Sequence, residues 1–334
     1  MIRLHVPGFL SGKGGPRWGD AQIIDDGKRY IVIDGYCGEG TINLLSALKA
    51  RKIKSPYLII THPHYDHYYG IRQIIRSSYF APKKLFVPDP ESYKDVSGEV
   101  KGNKQALKAV IAEAKEKGIP VSYLRNEQKL TIGEIKMVVY QNTEVGYDGN
   151  SEGYVNDRSL SFWLPELSYF APGDTGMWAV EKYNLKPKFI KLGHHGNRID
   201  GDDLKPSQMA PRMKKNGCLY CWDNDYSTKL TDFLMTGRED ALSSGMTFFD
   251  IHGDINAIWF GKRAVIYKHG QIYRHACAYA GKATLQAPTL ANVKAVLKGK
   301  AGEDDARVTY LLNHNMNPGL IQKEVNELYK LIKG

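Results

Sequence analysis

The chain has 334 residues, of which 42% are hydrophobic and 25% charged, so it can bury a large core and wholesale disorder is excluded. It has no run of the roughly 18 apolar residues that a membrane span needs, and its N-terminus lacks a signal-peptide core, so we expect a protein that starts in the cytoplasm. The formal charge of +10 favours an anionic partner such as nucleic acid or a cell-wall polymer, although Lys and Arg spread this evenly are equally typical of plain solubility.

The first predicted elements alternate strand, turn and helix. Alternating apolar residues predict strands at 21–25 and 29–35, joined by a DG turn. A helical pattern follows at 41–53, and an apolar strand at 57–61 leads into the sequence "HPHYDH". This order predicts a layered α/β sheet.

A second helix is predicted at 103–118, ending on a glycine. Short strands follow, and two of them, at 167–174 and 189–196, finish in polar residues, namely Asp174 and the pair His194-His195. A late hairpin at 255–276 would close this domain. The expected fold class is therefore α/β, with candidate site residues at strand ends.

The cysteines are too few for a disulfide framework. Cys218 and Cys221 form one CxxC motif, and no second pair completes a four-thiolate zinc site. We predict that they are buried thiols in a strand.

Four ligand-type residues lie within six positions directly after the strand at 57–61. We expect His62 and His64 to face one ion, and Asp66 and His67, one turn later, to face a second. Imidazole and carboxylate suit divalent ions, with Zn or Mn as the first candidates. One or two divalent ions are the expected cofactor.

This H-x-H-x-D-H stretch resembles the signature of the metallo-β-lactamase superfamily, which implies an αββα sandwich around one or two metal ions. By the same resemblance, Asp34 lies behind the metal loop as a ligand or supporting residue, Asp174 bridges the ions, and the "GHHG" motif supplies the last histidine. The elements "GDA", "ND-x-SL" and "GHHG" are similar to the branch of the DNA-uptake competence protein, and the overall plan is similar to phosphorylcholine esterase.

One superfamily histidine is missing, some twenty residues before Asp174, where this chain reads "GYVNDRSL". Asn156 or Asp157 substitutes as a ligand or supporting residue, or the first metal position is loosely held. These alternatives stay open at the level of sequence.

The two histidines of "GHHG" should face opposite ways if they continue a strand. We favour His195 as the metal ligand and His194 as a contact to the substrate oxyanion, with the opposite assignment as the alternative. Lys191 either steadies a phosphate or is solvated at a strand edge.

The resemblance implies hydrolysis by a metal-activated hydroxide, with Asp66 and His194 as catalytic residues. The basic charge favours a phosphodiester, so the candidates are a nuclease acting on DNA or RNA and a wall or teichoic-acid phosphodiesterase. A non-catalytic metal-binding or wall-binding protein is the alternative from another class.

The C-terminal residues form a separate unit. Residues 279–289 read as a linker after a hydrolase domain at 1–278, and residues 290–334 read as a small helical module. The module resembles the cell-wall-binding repeat of phage lysozymes, which implies peptidoglycan binding with Arg307 and Gln322 as contacts, and a phage-associated or released protein acting at the bacterial wall. The alternative is a helical cap that packs on the hydrolase.

Overall fold

The computed structural model describes residues 2–8, 19–176, 178–196, 212–223, 246–250, 255–260, 263–268 and 271–276. The predicted linker at 279–289 and the helical module at 290–334, with Arg307 and Gln322, lie outside these residues. Their domain boundaries and wall-binding role stay predictions.

The first sheet has nine strands in the order β16-β15-β14-β1-β2-β3-β4-β5-β6. Its strands are β1 (Arg3–Val6), β2 (Gln22–Asp25), β3 (Tyr30–Ile33), β4 (Tyr57–Ile59), β5 (Lys84–Pro88), β6 (Val121–Leu124), β14 (Ile255–Phe260), β15 (Arg263–Lys268) and β16 (Gln271–Ala276). Strands β3 to β6 are parallel and the others are antiparallel, so the carboxyl ends of β3 and β4 meet at one edge. The predicted late hairpin is a meander of three strands.

The second sheet has seven strands in the order β13-β12-β11-β10-β9-β8-β7. Its strands are β7 (Lys129–Ile132), β8 (Ile135–Tyr140), β9 (Ser161–Leu164), β10 (Tyr169–Ala171), β11 (Phe189–Lys191), β12 (Tyr220–Asp223) and β13 (Thr247–Asp250). Strands β7 to β10 are antiparallel, while β10 to β13 are parallel. Both sheets therefore bring the ends of parallel strands to one crevice, where ligands bind in α/β folds.

The main core joins the two sheets because strand side chains alternate between faces. Tyr169 and Phe189 point into the main cluster with the first sheet, while Phe170 and Ile190 join a second cluster on the other face. The hydroxyl of Tyr169 donates to Gln22 Oε1 over 2.6 Å, so the sandwich also has a buried polar link.

The helices are α1 (Gly38–Ala50), α2 (Tyr65–Arg76), α3 (Gly98–Glu116), α4 (Ser151–Asn156) and α5 (Trp178–Lys182). Helix α1 ends before the predicted residue 53 because Lys52 takes a left-handed conformation, φ 55°, and Ile53 N bonds to Leu48 O. Helix α3 ends in the same way at Gly118, as predicted. The two sheets with their helices confirm the predicted α/β class and the αββα sandwich.

The CxxC cysteines are buried, as predicted. Cys221 lies on β12, and Cys218 lies just before that strand. Burial raises the pKa of the Cys218 thiol to about 12, so it is an inert thiol rather than a nucleophile.

Candidate metal centre

The metal loop is fixed from behind by Asp34, which follows β3. One carboxylate oxygen of Asp34 accepts from Thr61 N at 2.8 Å and the other from Thr61 Oγ1 at 2.7 Å. Asp34 has a φ of 58°, a strained conformation for a residue with a side chain. The carboxylate of this strained residue therefore anchors the end of β4, directly before His62.

The loop after β4 is short, because helix α2, which the sequence does not predict, begins at Tyr65, directly after His64. A Cβ added to Gly70 of this helix would lie 1.8 Å from Gly35 O, so the helix presses against the chain that follows β3. Asp66 and His67 therefore lie on a rigid first turn rather than on a loop.

His62 and His64 each contribute one donor atom to the centre. We call these two residues the His62 side. His62 Nε2 lies 3.1 Å from His64 Nδ1 and 3.7 Å from Asp174 Oδ2. The other ring nitrogen of His62 lies 2.9 Å from Thr61 Oγ1. Burial, followed by the neighbouring His67, lowers the pKa of His62 well below its usual value, so the ring is neutral and suited to hold a metal.

Three further donor atoms belong to Asp66, His67 and His195. We call these three residues the His67 side. Asp174 Oδ2 lies 3.1 Å from His67 Nε2 and 3.2 Å from His195 Nε2. Asp66 Oδ2 lies 3.3 Å from His195 Nε2 and 3.8 Å from His67 Nε2. Because His67 Nδ1 lies 2.8 Å from Asp34 Oδ2, its Nε2 is the nitrogen that faces the centre.

The charges of the centre match a cation. Burial alone would raise the pKa of Asp174, but His195 and His67 outweigh burial and hold it well below its usual value. The pKa of Asp66 is lowered in the same way, against its burial, by His67 and His195. Asp174, Asp66 and Asp34 in turn outweigh burial and raise the pKa of His67 well above its usual value. The metal-free centre thus pairs ionised carboxylates with a protonated imidazole, and a divalent ion would replace that proton.

The donor set fits a divalent ion. Donors about 2.0–2.2 Å from a tetrahedral ion are separated by about 3.3–3.6 Å. The contacts among Asp66, His67, Asp174 and His195 span 3.1–3.8 Å, which brackets this range, and nitrogen and carboxylate oxygen suit zinc and similar metals.

Asp20 and Lys191 belong to the centre, although the sequence predicted neither role. Donor atoms of Asp20, His67, Asp174 and His195 all lie within 4.8 Å of one another. Lys191 is fully buried, so the alternative that it is solvated at a strand edge is wrong, whereas its contact with a phosphate stays a prediction. The reason is that β11 pairs on both sides, with β10 and β12, and is not an edge strand. The "GDA" element was the one available signal for Asp20.

The "GHHG" residues form a tight turn rather than the end of a strand. His194 and His195 have φ values of 44° and 56°, so the strand alternation used to separate them does not apply. The turn directs His195 to the centre and His194 to Glu152, whose Oε1 lies 3.3 Å from His194 Nε2. Glu152 lies on α4, a helix that the sequence did not predict.

Asn156 and Asp157 were the predicted substitutes for the missing histidine. Asn156 is buried, and neither atom of its side-chain amide has a hydrogen-bond partner within the described part of the chain. Asp157 is buried at the end of α4, and neither residue belongs to the group around Asp20. Their metal-binding role stays a prediction.

Residues 15–122 match the family model of the Metallo-beta-lactamase superfamily, a segment that contains every donor of the metal loop. The chain has the metallo-β-lactamase fold. Among solved structures, the metallo-beta-lactamase fold protein YhfI from Bacillus subtilis matches 76% of this chain and 99% of its own at 11% identity, with a TM-score of 0.48. Igni18, a metallo hydrolase from the archaeon Ignicoccus hospitalis, matches 76% of this chain and 98% of its own at 14% identity, with a TM-score of 0.47.

No curated protein matches the sequence. No helix in the described residues is long and apolar enough to cross a membrane.

Proposed function

We propose that the protein is a metal-dependent hydrolase of phosphodiester bonds. The observation that carries the proposal is the convergence of imidazole and carboxylate donors on Asp174 Oδ2, at 3.1 Å for His67, 3.2 Å for His195 and 3.7 Å for His62. Donors this close, in a buried crevice at the ends of parallel strands, are typical of a catalytic metal site.

The residues of the two sides have distinct tasks in this proposal. His62 and His64 would hold one ion, Asp66, His67 and His195 would hold the other, and Asp174 lies between the two sides. A bound divalent ion would lower the pKa of its water to about 7 and so supply hydroxide at neutral pH. The ion would also polarise the bond to be cleaved.

His194 is the group proposed to contact a phosphoryl oxygen. Its ring lies beside the centre but faces Glu152, whose side chain is 61% exposed. An incoming phosphate would compete with this carboxylate for His194 Nε2. His194 can then donate a hydrogen bond to the oxygen on which charge develops.

The substrate proposal rests on the net charge of +10, which attracts polyanions. A nucleic acid and a wall polymer such as teichoic acid share the phosphodiester bond, and the competence-like branch would favour the former. The proposed wall-binding module at 290–334 would favour the latter.

The test is a substrate panel with the full chain. Bis(p-nitrophenyl) phosphate, a carboxylic ester, plasmid DNA and teichoic acid are each assayed with Zn²⁺, with Mn²⁺ and with a chelator. We expect phosphodiester cleavage that the chelator abolishes and that Asp174→Asn lowers about 10³-fold, because the bridging charge stabilises the transition state by several kcal/mol.

Asp25→Asn is the matched control, since Asp25 is a buried carboxylate paired with Arg3 and makes no contact with the donors of either side. It should keep the wild-type rate. Fewer than one bound ion per chain, unchanged by His64→Ala, would instead show a non-catalytic protein.

A further inference from the structure

Asp20 lies at the back of the centre and is fully buried. Its backbone oxygen accepts from Tyr36 N at 2.9 Å. The preceding Gly19 has a φ of 99°, and a Cβ there would lie 1.7 Å from Asp66 O. The absence of a side chain at residue 19 therefore lets Asp20 pass directly behind the first turn of α2.

Lys191 joins two carboxylates at this point. Its Nζ lies 2.5 Å from Asp20 Oδ2 and 3.3 Å from Asp174 Oδ1, and it donates to Gly173 O at 2.8 Å. One oxygen of each carboxylate is thus engaged by the ammonium group.

The other oxygen of each carboxylate meets His195. Asp20 Oδ1 lies 3.3 Å from His195 Nδ1, and Asp174 Oδ2 lies 3.2 Å from His195 Nε2. Lys191, Asp20, His195 and Asp174 therefore form a closed ring of close polar contacts. The ring holds His195 in its left-handed backbone conformation and turns Nε2 toward Asp66.

We propose that Asp20 and Lys191 are positioning residues that orient His195 and Asp174 for metal binding, an inference that rests on the proposed function. Asp20 fixes the tautomer of His195 through Nδ1, as outer carboxylates do for metal-bound histidines. Lys191 engages Asp20 Oδ2 and Asp174 Oδ1, which leaves Asp174 Oδ2 as the oxygen of that carboxylate that lies against the nitrogens of His67 and His195.

The test measures metal affinity rather than turnover. Zn²⁺ is titrated against a chromophoric chelator in the wild type, Asp20→Asn, the double variant Asp20→Asn with Lys191→Met, and Asp25→Asn. We expect Asp20→Asn to weaken binding about 10- to 100-fold. The double variant removes both charges of the Lys191–Asp20 pair and should be more stable than Asp20→Asn, although Asp174 Oδ1 also loses its contact with Lys191. Its affinity should stay low, because His195 still lacks the Asp20 carboxylate.

Asp25→Asn controls for the loss of a buried ion pair on β2, the strand that begins just after Asp20, and should lower the melting temperature while leaving the Zn²⁺ affinity as in the wild type. If Asp20→Asn does not fold, the double variant answers the same question. Wild-type affinity in the variants that lack Asp20 would overturn the proposal.

The Co²⁺ spectrum separates a positioning residue from a ligand. Asp20→Asn saturated with Co²⁺ should keep the wild-type absorption bands, because the atoms bound to the ion are unchanged. A changed spectrum would show that Asp20 is itself a ligand and would overturn the proposal. A wild-type protein that binds no ion would contradict the proposed function and this inference together, whereas unchanged affinity without Asp20 contradicts this inference alone.

Discussion

The two sides of the metal centre share Asp174 but differ in how their donors are held. On the His67 side, each histidine has its Nδ1 next to a buried carboxylate. Nδ1 of His67 contacts Asp34, and Nδ1 of His195 contacts Asp20. On the His62 side, His62 has the neutral hydroxyl of Thr61, and His64 is the residue that precedes α2. Because outer carboxylates fix ligand orientation and raise ligand basicity, the His67 side should bind its ion more tightly.

The largest effect should come from removing one histidine on each side. We expect His67→Ala to weaken the tighter Zn²⁺ site at least about 100-fold, because a ligand is lost and Asp34 loses its partner. His64→Ala should leave that site within about threefold of the wild type and remove the weaker ion. Isothermal titration with Zn²⁺ on chelator-treated protein measures both sites.

Circular dichroism of each metal-free variant controls for folding. Equal losses at both sites in His64→Ala would show that the two positions bind as one unit, which contradicts the comparison.

A smaller effect should come from Asn156, which the sequence predicts as a substitute ligand at the first metal position. A buried amide without a partner costs about 1–3 kcal/mol. We therefore expect Asn156→Leu to raise the stability of the metal-free protein by about 1 kcal/mol while weakening the second Zn²⁺ site. Urea unfolding and Zn²⁺ titration are the two measurements.

Asn150 is the control on the same helix, because its side chain accepts from Gly153 N at 3.1 Å and caps α4. Asn150→Ala should cost about 1 kcal/mol. If Asn156→Leu is destabilising by a similar amount, the amide has a partner in the folded protein. If the second Zn²⁺ site is unchanged, Asn156 has no role there.

The sequence predicts the His62–His67 cluster because its donors are adjacent and follow one apolar strand. Asp174 and His195 could be added because they end strands, and parallel strands present their carboxyl ends at one edge. The order of strands and helices predicts the α/β class, and the resemblance of the H-x-H-x-D-H stretch to the metallo-β-lactamase superfamily implies the αββα sandwich; both are confirmed. The segment after β4, whose donor residues are neighbours in sequence, is therefore the part of the site that the sequence predicts best.

Asp20, Lys191 and Glu152 could not be assigned because their roles depend on contacts distant in sequence. Lysine is usually exposed, yet the interior strand β11 buries Lys191 against Asp20, which precedes β2 of the other sheet. The apolar residues before "GHHG" predict that a strand continues there, whereas both histidines have left-handed backbone conformations. Tertiary packing decides such positions, and local patterns do not encode it.

The smallest effect should come from a contact at the far end of α2. Glu113 of α3 accepts from Arg72 Nε at 3.0 Å and from Arg76 Nε at 2.9 Å, and hydrogen bonds from Arg72 and then Arg76 lower the pKa of Glu113 to about 2. A lowered folded-state pKa stabilises the protein above the unfolded value of 4.5, and this gain is lost as the pH falls toward about 2.

We expect Glu113→Gln to cost about 1 kcal/mol at pH 7, because these side chains are partly solvent-screened, and progressively less below pH about 4.5. Urea unfolding at pH 7 and pH 3.5 measures the difference. Glu91→Gln, which removes an exposed carboxylate paired with Lys104 and Lys108, is the control and should cost less.

Zn²⁺ affinity should stay within about twofold in Glu113→Gln, because Asp34 and Asp20 hold the histidines of the His67 side in place locally. A larger loss would show that the ion pairs of Glu113 with Arg72 and Arg76, rather than Asp34 and Asp20, set the position of His67.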